Sequence, residues 1–420
     1  MKQVKDLLSD ARDAARALFR SGEASRNTAL EAIARALDES RAPVLTANAE
    51  DLAAAHRAGI SEALVDRLGI GGGRFQGILD SVREVIALSD PLSETRELGE
   101  RPNGLRVLKR RVPLGVLAVI YESRPNVTVE AASLAIKSGN AVILRGGREA
   151  LRSNAALVLA IRSGLERANL PTDCVQLVED PSRDRVVELL GSKGRLDLAI
   201  ARGGSELMAM VDACAQVPVM RHGQGITHLF VDASADAPMA KRIVVNAKTQ
   251  RPGVCNALET LLLHPASLEN GAWEAIAKAL VGGGVELRVD PEAGQALRRA
   301  DIPYVAATAA DWDTEFLSLT LAVRTVASLD AALAHIAEHG TQHTASIVTS
   351  DRANAERFLR EVDASCVLWN ASTRFNDGGE LGLGSEMGIS TSKMHAFGPM
   401  GLRELTAEKF VVYGTGQVRS

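Results

Sequence analysis

The sequence is poor in aromatic side chains, which make up 3% of its 420 residues, and its charges nearly balance. Lys and Arg number 48 against 52 Asp and Glu, a formal net charge of −4. Proteins that bind nucleic acid usually present a basic face, and often aromatic rings on which bases stack. A nucleic-acid partner is therefore not expected.

Long apolar runs are also missing. The longest apolar stretches, such as Val116–Tyr121, are far shorter than the roughly 20 residues that cross a bilayer. Residues 1–22 interrupt their apolar positions with charge, which predicts an amphipathic surface helix rather than a signal peptide. We expect a cytoplasmic protein with no membrane partner.

Cysteines are few and far apart, and no two form a CxxC pair; they are Cys174, Cys214, Cys255 and Cys366. This pattern predicts reduced thiols, each either a buried small residue or a reactive group. The histidines and cysteines show no zinc-binding spacing, so no metal site is expected.

Strands alternate with helices over most of the chain after a helical first hundred residues. One series of predicted strands runs from Val116–Tyr121 to His228–Val231, and a second begins near Ala235 and ends at Cys366–Asn370. Such alternation is typical of parallel sheets covered on both faces. The sequence therefore predicts an α/β protein with two such layers in tandem.

Two segments stand outside this alternation. Gly104–Val112 alternates apolar and basic residues with the period of a strand, and Phe410–Tyr413 is a strand-like part of the tail. Isolated two-stranded pieces are rarely stable alone, so both segments are candidates for pairing with another subunit.

The usual phosphate-binding motifs are absent, because the sequence has neither GxxxxGK[ST] nor GxGxxG after a strand. Instead, Cys255 lies on a Gly and Pro turn between a predicted helix and a buried strand. Such a turn suits an exposed, strained nucleophile. A buried inert thiol is the usual state of a single cysteine, so the neighbouring motifs decide between the two.

Several long motifs occur in order along the chain: Val112–Val116, Tyr121–Thr128, Lys137–Gly147, Gln250–Thr260, Asn370–Phe375, Gly388–His395 and Gly398–Gly401. Through them the chain resembles the aldehyde dehydrogenase superfamily over nearly its whole length. The resemblance implies two Rossmann-like parallel-sheet domains plus a small β oligomerisation element. It implies these boundaries: an NADPH-binding domain at 1–98 and 113–234, a catalytic domain at 235–370, an active-site and interdomain segment at 371–403, and an oligomerisation ribbon and tail at 99–112 and 404–420.

The resemblance makes Cys255 the nucleophile that attacks the acyl carbon. Its backbone N–H and the Asn126 side chain would then form the oxyanion hole, since two donors suit a tetrahedral oxyanion. A turn residue after Pro125 is the other interpretation of Asn126.

Cofactor residues follow from the same resemblance, which implies a nicotinamide dinucleotide. Arg145 and Arg148 end a strand where the adenosine ribose would lie, and arginine accommodates a 2′-phosphate, so NADPH is expected over NADH. Solvated arginines are the alternative. The remaining contacts are Gly203, Gly204 and Ser205 at the pyrophosphate and Glu315 at the nicotinamide ribose; a surface glutamate is the alternative for Glu315.

No glutamate occurs from Leu207 to Leu258, where hydrolytic aldehyde dehydrogenases carry their general base. His222 lies in that neighbourhood, as an acid or base, a substrate contact or a structural histidine. Without a base to activate water, a thioester at Cys255 is kept for hydride or phosphate. The resemblance thus implies NADPH-dependent reduction of L-glutamyl 5-phosphate to L-glutamate 5-semialdehyde, the second step of proline synthesis from glutamate.

Substrate anions need cations, and three arginines lie in motif loops: Arg124, Arg251 and Arg374. Which of them meets the phosphate and which the α-carboxylate stays open. The resemblance also implies a homodimer or homotetramer and a transient contact with glutamate 5-kinase. Phe397 and Leu381 depart from the family pattern and put the assembly in doubt more than the chemistry. An aldehyde oxidase, a CoA-acylating enzyme and a non-catalytic binding protein are the alternatives.

Overall fold

A computed structural model describes residues 2–221 and 223–419. Its contacts separate two compact units. The first contains the described parts of residues 1–222, 382–388 and 400–420, and the second contains residues 223–381 and 389–399. Within the described ranges, no helix combines the length and apolar character that a membrane span requires.

The described residues form these α-helices: α1 (Val4–Arg20), α2 (Glu23–Glu39), α3 (Arg41–Arg57), α4 (Glu62–Leu68), α5 (Gly73–Ala87), α6 (Pro125–Lys137), α7 (Leu151–Arg167), α8 (Arg183–Leu190), α9 (Ser205–Cys214), α10 (Ala237–Thr249), α11 (Ala266–Glu269), α12 (Ala272–Gly282), α13 (Pro291–Arg299), α14 (Leu329–His339) and α15 (Arg352–Glu361).

The strands are β1 (Thr95–Glu100), β2 (Arg106–Pro113), β3 (Val116–Tyr121), β4 (Ala141–Arg145), β5 (Val175–Leu177), β6 (Leu198–Arg202), β7 (Val219–Arg221), β8 (Thr227–Val231), β9 (Leu258–Leu263), β10 (Glu286–Val289), β11 (Val305–Ala306), β12 (Thr320–Thr325), β13 (Thr344–Val348), β14 (Cys366–Trp369), β15 (Ile389–Ser390), β16 (Gly398–Pro399) and β17 (Thr406–Tyr413).

The first unit is built on a five-stranded sheet in the order β5-β4-β3-β6-β7, and every neighbouring pair is parallel. Strands β3 and β4 are buried along their whole length, as expected for parallel strands covered on both faces. The apolar side of α1, including Leu7, Leu8 and Ala11, packs in the same core cluster as Val116 and Ile120. The amphipathic first helix therefore covers this sheet.

The second unit is built on a seven-stranded parallel sheet in the order β11-β10-β12-β9-β8-β13-β14. Strand β8 lies between β9 and β13, so placing His228–Val231 in the first series was wrong. Its residues are all buried. A fully buried strand looks the same in either sheet, because burial does not say which strands are its neighbours.

A third, antiparallel sheet has the order β1-β2-β17 and belongs to the first unit. The predicted basic ribbon is its central strand, β2. Carboxylates on the flanking strands pair with its cations: Glu97 lies 2.5 Å from Arg106, and Glu408 lies 2.9 Å from Lys109. The strand is thus held within the chain, while its pairing with another subunit stays a prediction.

Candidate active site

Cys255 lies on the turn between α10 and β9, and its residue is half-buried. The Thr227 hydroxyl donates a hydrogen bond of 3.0 Å to the Cys255 carbonyl. Gly225 approaches the same carbonyl so closely that a Cβ there would lie 2.3 Å from the oxygen. The strand β8 and the residues before it therefore fix the backbone of the predicted nucleophile.

A second loop holds the same turn from another side. The buried Asn256 side chain donates to the Asn376 carbonyl at 2.9 Å, and the Thr373 hydroxyl donates to the Asn256 carbonyl at 2.8 Å. These bonds tie the cysteine turn to the short 3-10 helix Thr373–Phe375.

Arg374 belongs to that 3-10 helix, and its Nε donates to Gln250 Oε1 at 2.8 Å. Burial lowers the pKa of Arg374, with Asp377 acting in the opposite direction. Arg251 and Cys255 also act electrostatically on this guanidinium. Arg374 therefore lies within electrostatic range of both Arg251 and the Cys255 thiol.

Glu315 precedes β12, and its Oε1 accepts a hydrogen bond of 2.9 Å from the Gly225 amide. Gly225 thus contacts both Glu315 and the Cys255 carbonyl. The sequence analysis did not identify Gly225, since a lone glycine in a loop carries no signal of what approaches it.

A buried ion pair lies on the elements that flank the cysteine turn. Lys248 Nζ on α10 lies 2.9 Å from Glu259 Oε2 on β9, and both side chains are at most 1% exposed. Burial raises the pKa of Glu259 to about 7, against the opposing effect of Lys248. Sequence reasoning missed the pair, although a glutamate inside the otherwise largely apolar strand Leu258–Leu263 was a visible signal.

Apart from Glu315, the predicted cofactor residues lie at the carboxyl ends of β4 and β6. Arg145 is buried, and its Nη2 donates to the Pro181 carbonyl at 2.7 Å. Its Nε is also buried and has no hydrogen-bond partner among the described residues. Burial lowers the pKa of Arg145, whereas Arg148 lies exposed on the next 3-10 helix.

Gly203 and Gly204 connect β6 to α9, which begins at Ser205. The Gly204 amide donates to Glu122 Oε2 at 3.0 Å, and a Cβ on Gly203 would lie 2.6 Å from that oxygen. Amides at a helix N-terminus favour anions, and here they hold a carboxylate. Glycines that admit close approach, an anion-binding helix start and the buried Arg145 fit a dinucleotide phosphate.

Asn126 lies in the first turn of α6, directly after Pro125, and its Nδ2 donates to Glu130 Oε1 at 2.8 Å. Arg124 is the residue before the helix. Both belong to the first unit and Cys255 to the second. His222 lies outside the described residues.

Comparisons with known proteins all match members of one family. The model of the aldehyde dehydrogenase family matches residues 1–296. A gamma-glutamyl phosphate reductase of Anaeromyxobacter dehalogenans is 50% identical over 99% of this chain and 97% of its own length. One of Geotalea daltonii is 48% identical over 100% of this chain and 99% of its own length.

A solved structure shows the same arrangement. The crystal structure of gamma-glutamyl phosphate reductase from Thermotoga maritima is 42% identical, covers 100% of both chains and superposes with a TM-score of 0.96. The expected aldehyde dehydrogenase-like α/β fold is thereby confirmed. The chain belongs to the aldehyde dehydrogenase family and, within it, to the gamma-glutamyl phosphate reductases.

Proposed function

We propose that this chain reduces L-glutamyl 5-phosphate to L-glutamate 5-semialdehyde with NADPH, through a thioester on Cys255. This reaction is the second step of proline synthesis from glutamate. The name shared by the full-length relatives supports the reaction. The observation that carries the mechanism is the turn of Cys255, which Gly225 and Thr227 hold in place. Arg251 and Cys255 both act electrostatically on Arg374, which supports a cationic environment for the substrate.

The thiolate of Cys255 attacks the acyl carbon and phosphate leaves. Arg374 and Arg251 supply positive charge at the thiol for the phosphate or the α-carboxylate. The Cys255 backbone N–H and the Asn126 amide donate to the tetrahedral oxyanion. The Asn126–Glu130 bond orients this amide, and an amide NH₂ has a second hydrogen to donate.

The dinucleotide would be held by Arg145, Gly203, Gly204, Ser205 and Glu315, and when bound its nicotinamide supplies hydride. The half-buried Glu315 is oriented by the Gly225 amide, and a carboxylate is a suitable acceptor for ribose hydroxyls. The buried Nε of Arg145 supports NADPH over NADH, because a 2′-phosphate offers it an anion.

Hydrolysis of the thioester requires a base that activates water, and the sequence has no glutamate from Leu207 to Leu258. The next one, Glu259, is bound to Lys248 and to the Leu317 amide. Its two oxygens are thus engaged away from water. This arrangement favours a reductase over an aldehyde oxidase.

Assembly as a homodimer or homotetramer through the third sheet belongs to the same proposal. The exposed side chains Phe410, Val412 and Tyr413 on β17 support it. A transient contact with the glutamate 5-kinase that makes the acyl phosphate is the other proposed partnership.

The test is the reverse reaction, in which NADPH forms from pyrroline-5-carboxylate and NADP with and without inorganic phosphate. We expect activity that requires phosphate and that falls by at least a thousandfold in Cys255→Ala. Cys214→Ala, a half-buried thiol on α9, is the matched control and should keep wild-type activity.

Activity that does not depend on phosphate would identify an aldehyde oxidase instead. Activity that depends on CoA would identify an acylating enzyme. Full activity in Cys255→Ala would remove the proposed nucleophile, and an inactive wild-type protein that still binds NADPH would favour a binding protein.

A further inference from the structure

The pair of Lys248 and Glu259 lies fully inside the second unit, next to the nucleophile turn. Removing two charges from water is costly, and an apolar pair of the same size is often as stable or more so. The pair is thus poorly explained as a source of stability. Its geometry points to another role, because Glu259 makes one further contact.

Glu259 uses its two oxygens for two different partners. Oε2 accepts from Lys248 Nζ at 2.9 Å, and Oε1 accepts from the Leu317 amide at 3.2 Å. The contact with Lys248 Nζ fixes the orientation of the Glu259 carboxyl group. Glu259 Oε1 is therefore held in place as an acceptor for the backbone amide of Leu317, which lies outside the sheet.

Leu317 is an unusual residue to find at that point. Its φ is 51°, in the left-handed region, and its residue is 38% exposed. A left-handed conformation is unfavourable for a residue that carries a side chain, so the surroundings must enforce it. The hydrogen bond from its amide to Glu259 is a contact able to do so.

Glu315 lies two residues before Leu317, and its Oε1 accepts from the Gly225 amide at 2.9 Å. Gly225 in turn packs against the Cys255 carbonyl. Strand β9, which carries Glu259, begins just after the Cys255 turn. The contacts form a closed ring from Glu259 through Leu317, Glu315 and Gly225 to Cys255, and back to Glu259 along the chain.

We infer that Lys248 and Glu259 are positioning residues: they hold the Leu317 backbone so that Glu315 meets the cofactor ribose at a fixed distance from the nucleophile. This inference rests on the proposed role of Glu315 in cofactor binding. Neither Lys248 nor Glu259 touches substrate or cofactor in this scheme.

Two double variants separate the acceptor from the charge. Lys248→Met with Glu259→Gln removes both charges but keeps an amide oxygen for Leu317. Lys248→Met with Glu259→Leu removes both charges and the acceptor. The matched control replaces Lys278 and Glu274, an exposed ion pair of 2.5 Å on α12, by Met and Leu.

NADPH affinity by fluorescence titration, KM and kcat, and thermal unfolding are measured for all four proteins. We expect the Met/Gln variant and the control to lie within about threefold of wild type. The Met/Leu variant should bind NADPH at least tenfold more weakly, with a matching rise in KM and a melting temperature close to that of Met/Gln. Equal NADPH affinity in Met/Leu and Met/Gln would overturn the inference.

A measurement on the wild-type protein does not depend on how the variants fold. Amide hydrogen exchange should show the Leu317 amide protected like a strand residue despite its exposed side chain. Exchange at the rate of an open loop would also overturn the inference. A wild-type protein without reductase activity would refute the proposed function, whereas an active one with unprotected Leu317 would refute only the positioning role.

Discussion

At the scale of single residues, the site depends on backbone that is held in place more than on unusual side chains. Gly225 illustrates this, because its amide donates to Glu315 at a place where a Cβ would lie only 2.3 Å from the Cys255 carbonyl oxygen. The glycine is needed here for close approach, not for a left-handed conformation. Its side of the nucleophile turn has no room for a methyl group.

Gly225→Ala should therefore displace the Cys255 turn. A Cβ at 2.3 Å from the carbonyl oxygen must be relieved by a shift of backbone, and a misplacement of about 1 Å can cost a hundredfold in rate. We expect kcat/KM to fall by about a hundredfold or more while the protein stays folded. Gly282→Ala, at the end of α12 where a Cβ meets nothing within 4 Å, is the control.

The sequence singles out Cys255, Arg251 and Arg374 because they lie in long motifs; Arg251 and Cys255 act electrostatically on Arg374, and the roles of all three stay predictions. It could not identify Gly225, because a close approach depends on two distant segments of chain. Lys248 and Glu259 were missed for a similar reason: a charge at an apolar position signals a partner but not which one. The roles of Asn126, Arg145 and Glu315 stay predictions.

At the scale of elements, helix α14 and strand β8 share a group of three histidines, of which His228 and His335 are buried. The rings of His228 and His335 lie 5.3 Å apart, and those of His335 and His339 lie 4.6 Å apart. Arg324 on β12 donates to His335, and Asp313 lies 2.8 Å from His339 Nδ1. A protonated histidine in this cluster would be repelled by the Arg324 guanidinium, with little water to screen the repulsion.

This cluster predicts a stability that depends on pH. Burial lowers the pKa of His228 from 6.5 to about 4 and that of His335 to about 2. Below pH 6.5 these two histidines become protonated in the unfolded chain but stay neutral in the folded chain. The free energy of unfolding therefore falls as pH falls from 6.5 toward 4. Each such histidine contributes a slope of up to about 1.4 kcal/mol per pH unit.

His335→Phe removes one of these titrating groups, and its slope of stability against pH should be smaller by about one proton. Urea unfolding at several pH values between 4.5 and 7.5 measures this. Parallel slopes for the variant and the wild type would contradict the prediction, whatever their absolute stabilities. The carboxylates titrate in both proteins, so their contribution cancels when the slope of the variant is subtracted from that of the wild type.

Most elements of the parallel sheets could be predicted from the sequence, since buried strands such as β3 and β4 are short continuous apolar runs. The grouping of strands could not. Strand β8 follows β7 in the chain but lies in the other sheet, and its fully buried local pattern does not say which strands are its neighbours. Strand pairing is decided by long-range packing, which a local pattern does not contain.

At the scale of the whole molecule, the third sheet is the proposed subunit contact. Phe410, Val412 and Tyr413 are 64%, 53% and 50% exposed on β17, which is an unusual amount of apolar surface for one strand. Phe410→Glu combined with Val412→Glu should therefore lower the mass of the oligomer in solution, which light scattering measures. Leu159→Glu, at a 73% exposed position on α7, is the control. An unchanged mass in the double variant would contradict the proposed contact.

The division of the chain into its two units has a consequence for how the protein can be made. The chain passes between the units at 222/223, 381/382, 388/389 and 399/400. The second unit needs residues 389–399 to be complete, and the first needs residues 382–388 and the described residues from 400 to 419. No single division of the chain therefore separates two complete units. A truncated chain that ends near residue 380 would lack segments of both units.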